Sequence, residues 1–305
     1  MGAIKNVTLV GGNGNLGAVL LETLVAAGDF RVTVLKRASS KSPTVAPSVR
    51  VIQVDDAWTT EALTAALAGA DAAIACFPLR DTAQHLRLAD AAAAAGVARF
   101  IPADYGSVDA RSPRARELVR LFDNKVKVRE RLEALSAQSG GALTWTSLVN
   151  GHFFDWGLTN GFLHFDVARR TAEILGDGTA RSSNATLARI SEAVVRILRK
   201  PDETRNRVLM VQSFCVSQLD ILRSLERVTG APWEAVHVDL DAFVQKHKAL
   251  ADQGSKESIE DLVFALGVME GNWEDKEDFA MDLLGFENED LDTVVRKAIA
   301  EKEES

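Results

Sequence analysis

Apolar and polar positions follow two alternating rhythms through the first half of this chain. Short runs rich in Val, Leu, Ile and Ala occur at Asn6–Val10, 31–35, 49–54, 72–77, 99–102 and Thr144–Val149 and read as strands. Between them, stretches at 15–27, 59–68, 82–95 and 113–138 carry apolar residues every three or four positions and read as helices. The alternation predicts an α/β fold, a Rossmann-type doubly wound parallel sheet with helices on both faces. Ligands of such sheets gather at the carboxyl ends of the strands. Those ends hold 11–17, Lys36 and Arg37, Asp55 and Asp56, Phe77 and Pro78, 102–105 and 150–152.

Near residue 150 the rhythm breaks. Phe153, Phe154, Trp156, Phe162 and Phe165 crowd one segment, a turn follows at Gly176, Asp177 and Gly178, and beyond Asp239 the chain is helical and acidic, with a charged tail at 302–305. The expected division is a dinucleotide-binding domain at 1–154 and a smaller, mostly helical C-terminal substrate lobe at 155–305. The helix at 187–199 and the strand at 207–212 return to the sheet, so 186–212 joins the first domain. The aromatic cluster either walls a flat apolar pocket or forms the core of the lobe.

The first strand runs into Gly11, Gly12, Asn13, Gly14, Asn15, Leu16 and Gly17 and then into an apolar helix. Glycines at 11, 14 and 17 permit a turn that brings backbone against a pyrophosphate and closes the helix on the strand, whose free N–H groups then face the anion. The acid that grips ribose hydroxyls in the NAD-type pattern is missing, because no Asp or Glu occurs from Arg31 to Val54. The second strand ends instead in Lys36 and Arg37. A guanidinium forks onto phosphate oxygens, so Arg37 is the candidate for a 2′-phosphate, with Lys36 and the hydroxyls of Ser39 and Ser40 beside it. The other reading of the same residues is a solvated basic loop.

Composition narrows the partners. At 305 residues and 47% hydrophobic the chain buries a large core, and a formal charge of −8 argues against a nucleic-acid surface. Cys76 and Cys215 lie on hydrophobic segments without metal-ligand spacing and read as packed thiols in a reducing, cytoplasmic setting. The apolar stretch at 63–79 is broken by Asp71 and Pro78, and no segment reads as a signal peptide or membrane span. The expected partner is a small-molecule aromatic substrate, bound by a monomer or homodimer, with no metal.

In the helix at 113–138, Leu118, Leu121, Val128, Leu132 and Leu135 mark one face, and Lys125 fills the gap in that stripe, while Lys127 is turned away by about 200°. A lysine in an apolar stripe tends toward a lowered pKa and proton transfer, or pairs with a phosphate or carboxylate; at the stripe's edge it snorkels to water. The Tyr-x-x-x-Lys dyad of short-chain dehydrogenases is absent, since the one tyrosine, Tyr105, is followed four residues on by Asp109. The proton donor is then Lys125, a water it holds, or a group such as His152 or Asp104. His152 follows a strand end and either faces the crevice or packs among aromatics, and Asp104 can equally cap a turn.

Together these residues resemble the isoflavone-reductase-like branch of the NmrA-like family, atypical short-chain dehydrogenases. The resemblance is carried by the glycine turn, Leu35-Lys36-Arg37, Val54-Asp55, Gly69-Ala70-Asp71, the segment from Ala95 to Gly106, Lys125 to Arg129, and Asn150 to Phe154. It implies an NADPH-dependent reductase with Lys125 as catalytic lysine, the diphosphate on Gly11 to Leu16, the phosphate on Arg37, the adenine near Asp55 and Asp56, and the nicotinamide between Phe77-Pro78 and Asn150 to His152. Substrates of that branch are aromatic secondary metabolites. The alternative within the family is an NADP(H)-binding, redox-sensing regulator without turnover; an NADP-assisted isomerase is a third. Ala103-Asp104-Tyr105 departs from the Ser-Glu-Phe of plant members.

Overall fold

A computed structural model describes residues 2–41 and 49–303; the last two residues of the charged tail lie outside them. The chain divides into two compact units, 1–105 with 121–148 and 190–209, and 106–120 with 149–189 and 210–305. It passes from one unit to the other five times, where the sequence suggested a main boundary near 154 and a single return.

The first unit is built on β1 (Asn6–Val10), β2 (Arg31–Arg37), β3 (Arg50–Val54), β4 (Ala72–Ala75), β5 (Arg99–Ile101) and β6 (Thr144–Val149). Its helices are α1 (Asn15–Ala26), α2 (Thr60–Leu67) and α3 (Thr82–Ala94). With the strand at Arg207–Met210 these make a seven-stranded sheet, in which β1 lies between β2 and β4 and pairs with both in parallel. Strand order therefore reverses at β1, the switch point at which such sheets bind ligands. The register is pinned from below: the Asp71 carboxylate accepts from the backbone N–H groups of Lys5 and Asn6 and from the Asn6 amide. Val10 stands opposite both Leu35 and Ala75, so the segments after β1, β2 and β4 leave the same edge together.

Arg99, in the segment that carried much of the resemblance, is structural. Its buried guanidinium donates to the hydroxyls of Thr144 (3.0 Å), Thr146 (2.8 Å) and Thr204 (2.9 Å) and to the Pro201 carbonyl, tying β5 to β6 and to the turn beyond. These donors explain how Thr144 and Thr146 sit inside a sheet at no cost in unsatisfied hydroxyls.

The expected helix at 113–138 is two helices, α4 (Pro113–Leu118) and α5 (Arg120–Gln138), broken where Val119 takes an extended conformation. Ser112 and Pro113 start the first one. Along α5 the inward face holds Phe122 where Leu121 was expected; Lys125, Val128, Leu132 and Leu135 are buried as the stripe predicted, and Lys127 is exposed.

The second unit contains β7 (His152–Phe153), α6 (Phe154–Asn160), β8 (Phe165–Asp166), β9 (Thr171–Leu175) and β10 (Arg181–Ala185). After α7 (Leu187–Arg199) and the sheet strand β11 (Arg207–Met210) come β12 (Phe214–Ser217), α8 (Gln218–Thr229) and β13 (Glu234–Val238). Four helices close the chain: α9 (Leu240–Asp252), α10 (Lys256–Glu270), α11 (Met281–Leu284) and α12 (Leu291–Glu303). Its strands form two three-stranded sheets, β12-β10-β7 and β13-β9-β8. Phe154 and Phe165 are core, whereas Phe153, Trp156 and Phe162 are half-buried. Among the described residues, no helix is long and apolar enough to cross a membrane.

Candidate functional site

The turn after β1 needs its glycines for packing as well as for ligand access. Gly11 has φ +92°, and a Cβ there would stand 2.2 Å from the Cys76 carbonyl oxygen. A Cβ on Gly17 would fall 2.0 Å from the Gly11 carbonyl oxygen, so this residue is what lets α1 close on β1. Gly14 differs: a Cβ would meet nothing nearer than 3.7 Å, yet it is the N-cap of α1 and supplies no side-chain cap. The first N–H groups of a twelve-residue helix, with no acid in its first turn, are thereby left to an outside acceptor.

This turn floors a pocket of about 420 Å³. One wall is the end of β2, with Lys36, Arg37 and Ser40; the other comes from Phe77, Pro78, Arg80 and Gln84. Trp58 meets Phe77 edge-on at 5.4 Å, and His85 stacks on Phe77 at 4.0 Å. Burial pushes His85 down to about 4, so the ring is neutral at ordinary pH. Of the residues proposed from sequence, Gly11, Gly12, Asn13, Gly14, Lys36, Arg37, Phe77 and Pro78 line this pocket. Asn15, Leu16 and Gly17 form the first turn of α1 and lie outside its lining, as do Asp55 and Asp56. Asp55 accepts from the Ala57 N–H, and Asp56 from the Ser39 N–H at 3.2 Å. Hydrogen bonds from Ser39, aided by Arg37, hold the Asp56 carboxyl below the usual range. Ser39 is thus engaged with Asp56, and Ser40 takes its place in the pocket. Trp58, Arg80 and Gln84 escaped the sequence reading. An aromatic residue just past the third strand was the available signal for the first; the others sit at the head of an ordinary amphipathic helix.

Cys76 also lines the pocket, but burial pushes its thiol up to about 12, which leaves it without thiolate character. Both cysteines are free and buried.

At the end of β5 the arrangement is dry and charged. Lys125 is 8% exposed, and its Nζ donates to the main-chain oxygen of Asp104 at 2.5 Å, with Asp104 Oδ1 at 3.8 Å and the Phe122 ring centroid at 5.3 Å. Asp104 Oδ2 accepts from Arg129 Nε (2.5 Å) and from the Ser147 hydroxyl, and pairs with the second Arg129 nitrogen at 2.5 Å. Burial lowers the Lys125 pKa against the opposing pull of Asp104. The Asp104 carboxyl, which burial alone would raise, is brought below its usual value by Arg129 and then Lys125. A cavity of only about 10 Å³ lies beside Lys125 and Asp104, bounded also by His85, Pro102 and Ala103. Tyr105, at φ +34°, buries a hydroxyl without a hydrogen-bond partner among the described residues, and burial raises its pKa well above the usual value.

Asn150 and His152 belong to the second unit. The Asn150 amide donates to the Gly151 carbonyl at 2.8 Å, and its Oδ1 is buried with no partner among the described residues. The His152 ring packs near Phe162 and Phe264, with Nδ1 3.2 Å from Asn184 Oδ1. Burial pushes it down to about 4, opposed by hydrogen bonding to Asn184 and to the backbone of Val263 and Phe264. Among the described residues there is no cluster of three or more side chains suited to a metal.

Residues 4–274 match the model of the NmrA-like family. The chain belongs to that family. Two fungal proteins are similar to it: an oxidoreductase, aprR, of Aspergillus flavus, 35% identical over 236 residues (77% of each chain), and an oxidoreductase, poxI, of Penicillium oxalicum, 31% identical over 300 residues (94% of this chain and 91% of that one). Among solved structures, that of AtPrR2 with NADP+ and (+)pinoresinol shares this family fold, with a TM-score of 0.75 at 17% identity, covering 98% of this chain and all of that one.

Proposed function

We propose that this NmrA-like chain is an NADPH-dependent oxidoreductase that reduces a small aromatic substrate, with Lys125 as proton donor. The observation that carries the reading is a buried lysine, held in place by Asp104, at the strand edge that also bears the open glycine turn. The oxidoreductase names of the two fungal relatives support it, as does a structural neighbour crystallised with NADP+ and an aromatic ligand.

The residues fit the cofactor. The glycine turn and the uncapped N-terminus of α1 would hold the diphosphate, and Arg37, with Lys36 and Ser40, the 2′-phosphate. Trp58, beside the Asp55 and Asp56 loop, would wall the adenine, and Phe77 with Pro78 would continue toward the reactive ring. When bound, NADPH supplies a hydride. Lys125 has three N–H donors and spends one on the Asp104 carbonyl. Another is free to reach the oxygen of a carbonyl or quinone-type substrate and to give it a proton as the carbon is reduced, after which water reprotonates the amine. Such general-acid help is worth about 10²–10⁴ in rate. His152, buried in the second unit and neutral because burial depresses its pKa, is given no step.

The test is NADPH oxidation in the presence of aromatic ketones, enones, quinones and lignan-type ethers. Turnover with one of these classes, lost in Lys125→Met, is the expected result. Tight NADPH binding with no oxidation across all classes would instead favour the regulator.

A further inference from the structure

We propose that Asp104 and Arg129 act as a positioning pair for Lys125: the carboxylate aims the amine and keeps it an ammonium, and the guanidinium limits how much of that negative charge the amine receives. The inference rests on the reading of Lys125 as the proton donor.

The geometry is a division of one residue between two cations. Asp104 meets Nζ through both its main-chain oxygen, at 2.5 Å, and its Oδ1, at 3.8 Å. Its Oδ2 is committed elsewhere, to Nε and Nη2 of Arg129 and to the Ser147 hydroxyl. Oδ1 is buried, has no hydrogen-bond partner among the described residues, and stands nearest in charge to Lys125. A pair kept for stability alone would be Arg129 with Asp104. Adding Lys125 sets a second cation against the same carboxylate in a cavity of about 10 Å³, an arrangement that a pair kept for stability does not need.

Few other groups could balance the amine. Facing it are Asp104 from the end of β5, Arg129 and the Phe122 ring from its own helix, and His85 from α3. His85 is neutral and Phe122 offers only a ring face. Asp104 is therefore the anion that sets the amine's charge, and Arg129, which opposes it electrostatically at Nζ, is the counterweight.

The experiment follows the titration of Lys125 directly, by NMR of protein isotopically enriched at the lysine Cε positions, with the Lys125 signal assigned by its loss in Lys125→Met. In Asp104→Asn the midpoint falls by about 1 pH unit or more. In Arg129→Met it rises, because the amine keeps Asp104 to itself and loses a like charge. A pair with no electrostatic hold on the amine moves neither midpoint. Midpoints that stay put, or that shift in the same direction in both variants, overturn the proposal. Arg129→Met keeps the test decisive if Asp104→Asn, which takes a negative charge from beside a buried guanidinium, does not fold. The parent reading fails separately: if Lys125→Met turns over substrate as fast as the wild type, the amine donates no proton and the pair has no catalytic task, whichever way the midpoints move.

Discussion

Two ends of one sheet edge in the first unit are built on opposite plans. At the glycine turn there is an open pocket of about 420 Å³, with Arg37 and Arg80 on its walls and no acid anywhere in β2. At the end of β5 there is about 10 Å³ of free space, and Asp104 meets both Lys125 and Arg129. For the reductase proposed above, the contrast teaches what each task requires. A site for a phosphorylated ligand keeps its cations solvated until the anion arrives, and the affinity comes from that exchange. A proton donor is useful only if its direction and charge are settled beforehand, so its neighbours are supplied by the fold.

The sharpest way to break this comparison is Lys125→Met. Turnover should fall by about 10²-fold or more, while the affinity for 2′,5′-ADP, which probes only the open end, stays within a factor of about two. A matching loss of both would mean that the two ends are not separate devices. Next comes the turn itself. Gly17→Ala, whose Cβ would overlap the Gly11 carbonyl, should cost about 3 kcal/mol in a urea melt. Gly14→Ala, with open space around it, should melt like the wild type yet bind diphosphates more weakly.

Acid should then act at the boundary between the two ends. His85 stacks on Phe77 of the open pocket and lines the small cavity beside Lys125. Its folded pKa, near 4, lies below the ordinary 6.5, so its contribution is complete above about pH 6.5 and is lost as pH falls toward 4. By about pH 5 the loss should be about 2 kcal/mol, and His85→Phe should remove that share of the slope. His152 has the same sign and adds its own loss in the second unit. The smallest effect is at Arg37→Ala, which should weaken 2′,5′-ADP about tenfold and leave 5′-AMP unchanged by calorimetry. Equal weakening of both ligands would move the 2′-phosphate away from the end of β2.

Much of the sheet was legible because its strands are locally marked. Asn6–Val10 and Thr144–Val149 coincide with the runs read from the sequence, and the others differ by a few residues at their ends. The break at Val119 was not legible, since no Gly or Pro interrupts the helical pattern there. Two-residue strands such as β7 and β8 leave no periodicity to detect. At the site, the inward placement of Lys125 followed from spacing alone. Arg129 stands one helical turn further on the same face and was quoted as part of a motif, but its partner Asp104 lies 25 residues away and is joined to it only by the fold. The rim of the open pocket was read by loop order, which offered Ser39, Asp55 and Asp56; Ser39 bonds to Asp56 and Asp55 to the Ala57 N–H, and the lining falls to Ser40 and Trp58.

The path of the chain carries a practical consequence. Because the polypeptide enters each unit three times, no contiguous stretch encodes either unit whole. Protease nicking should therefore release no stable fragment that keeps nucleotide affinity, and engineers wishing to exchange the helical portion for another would have to graft several separate segments at once.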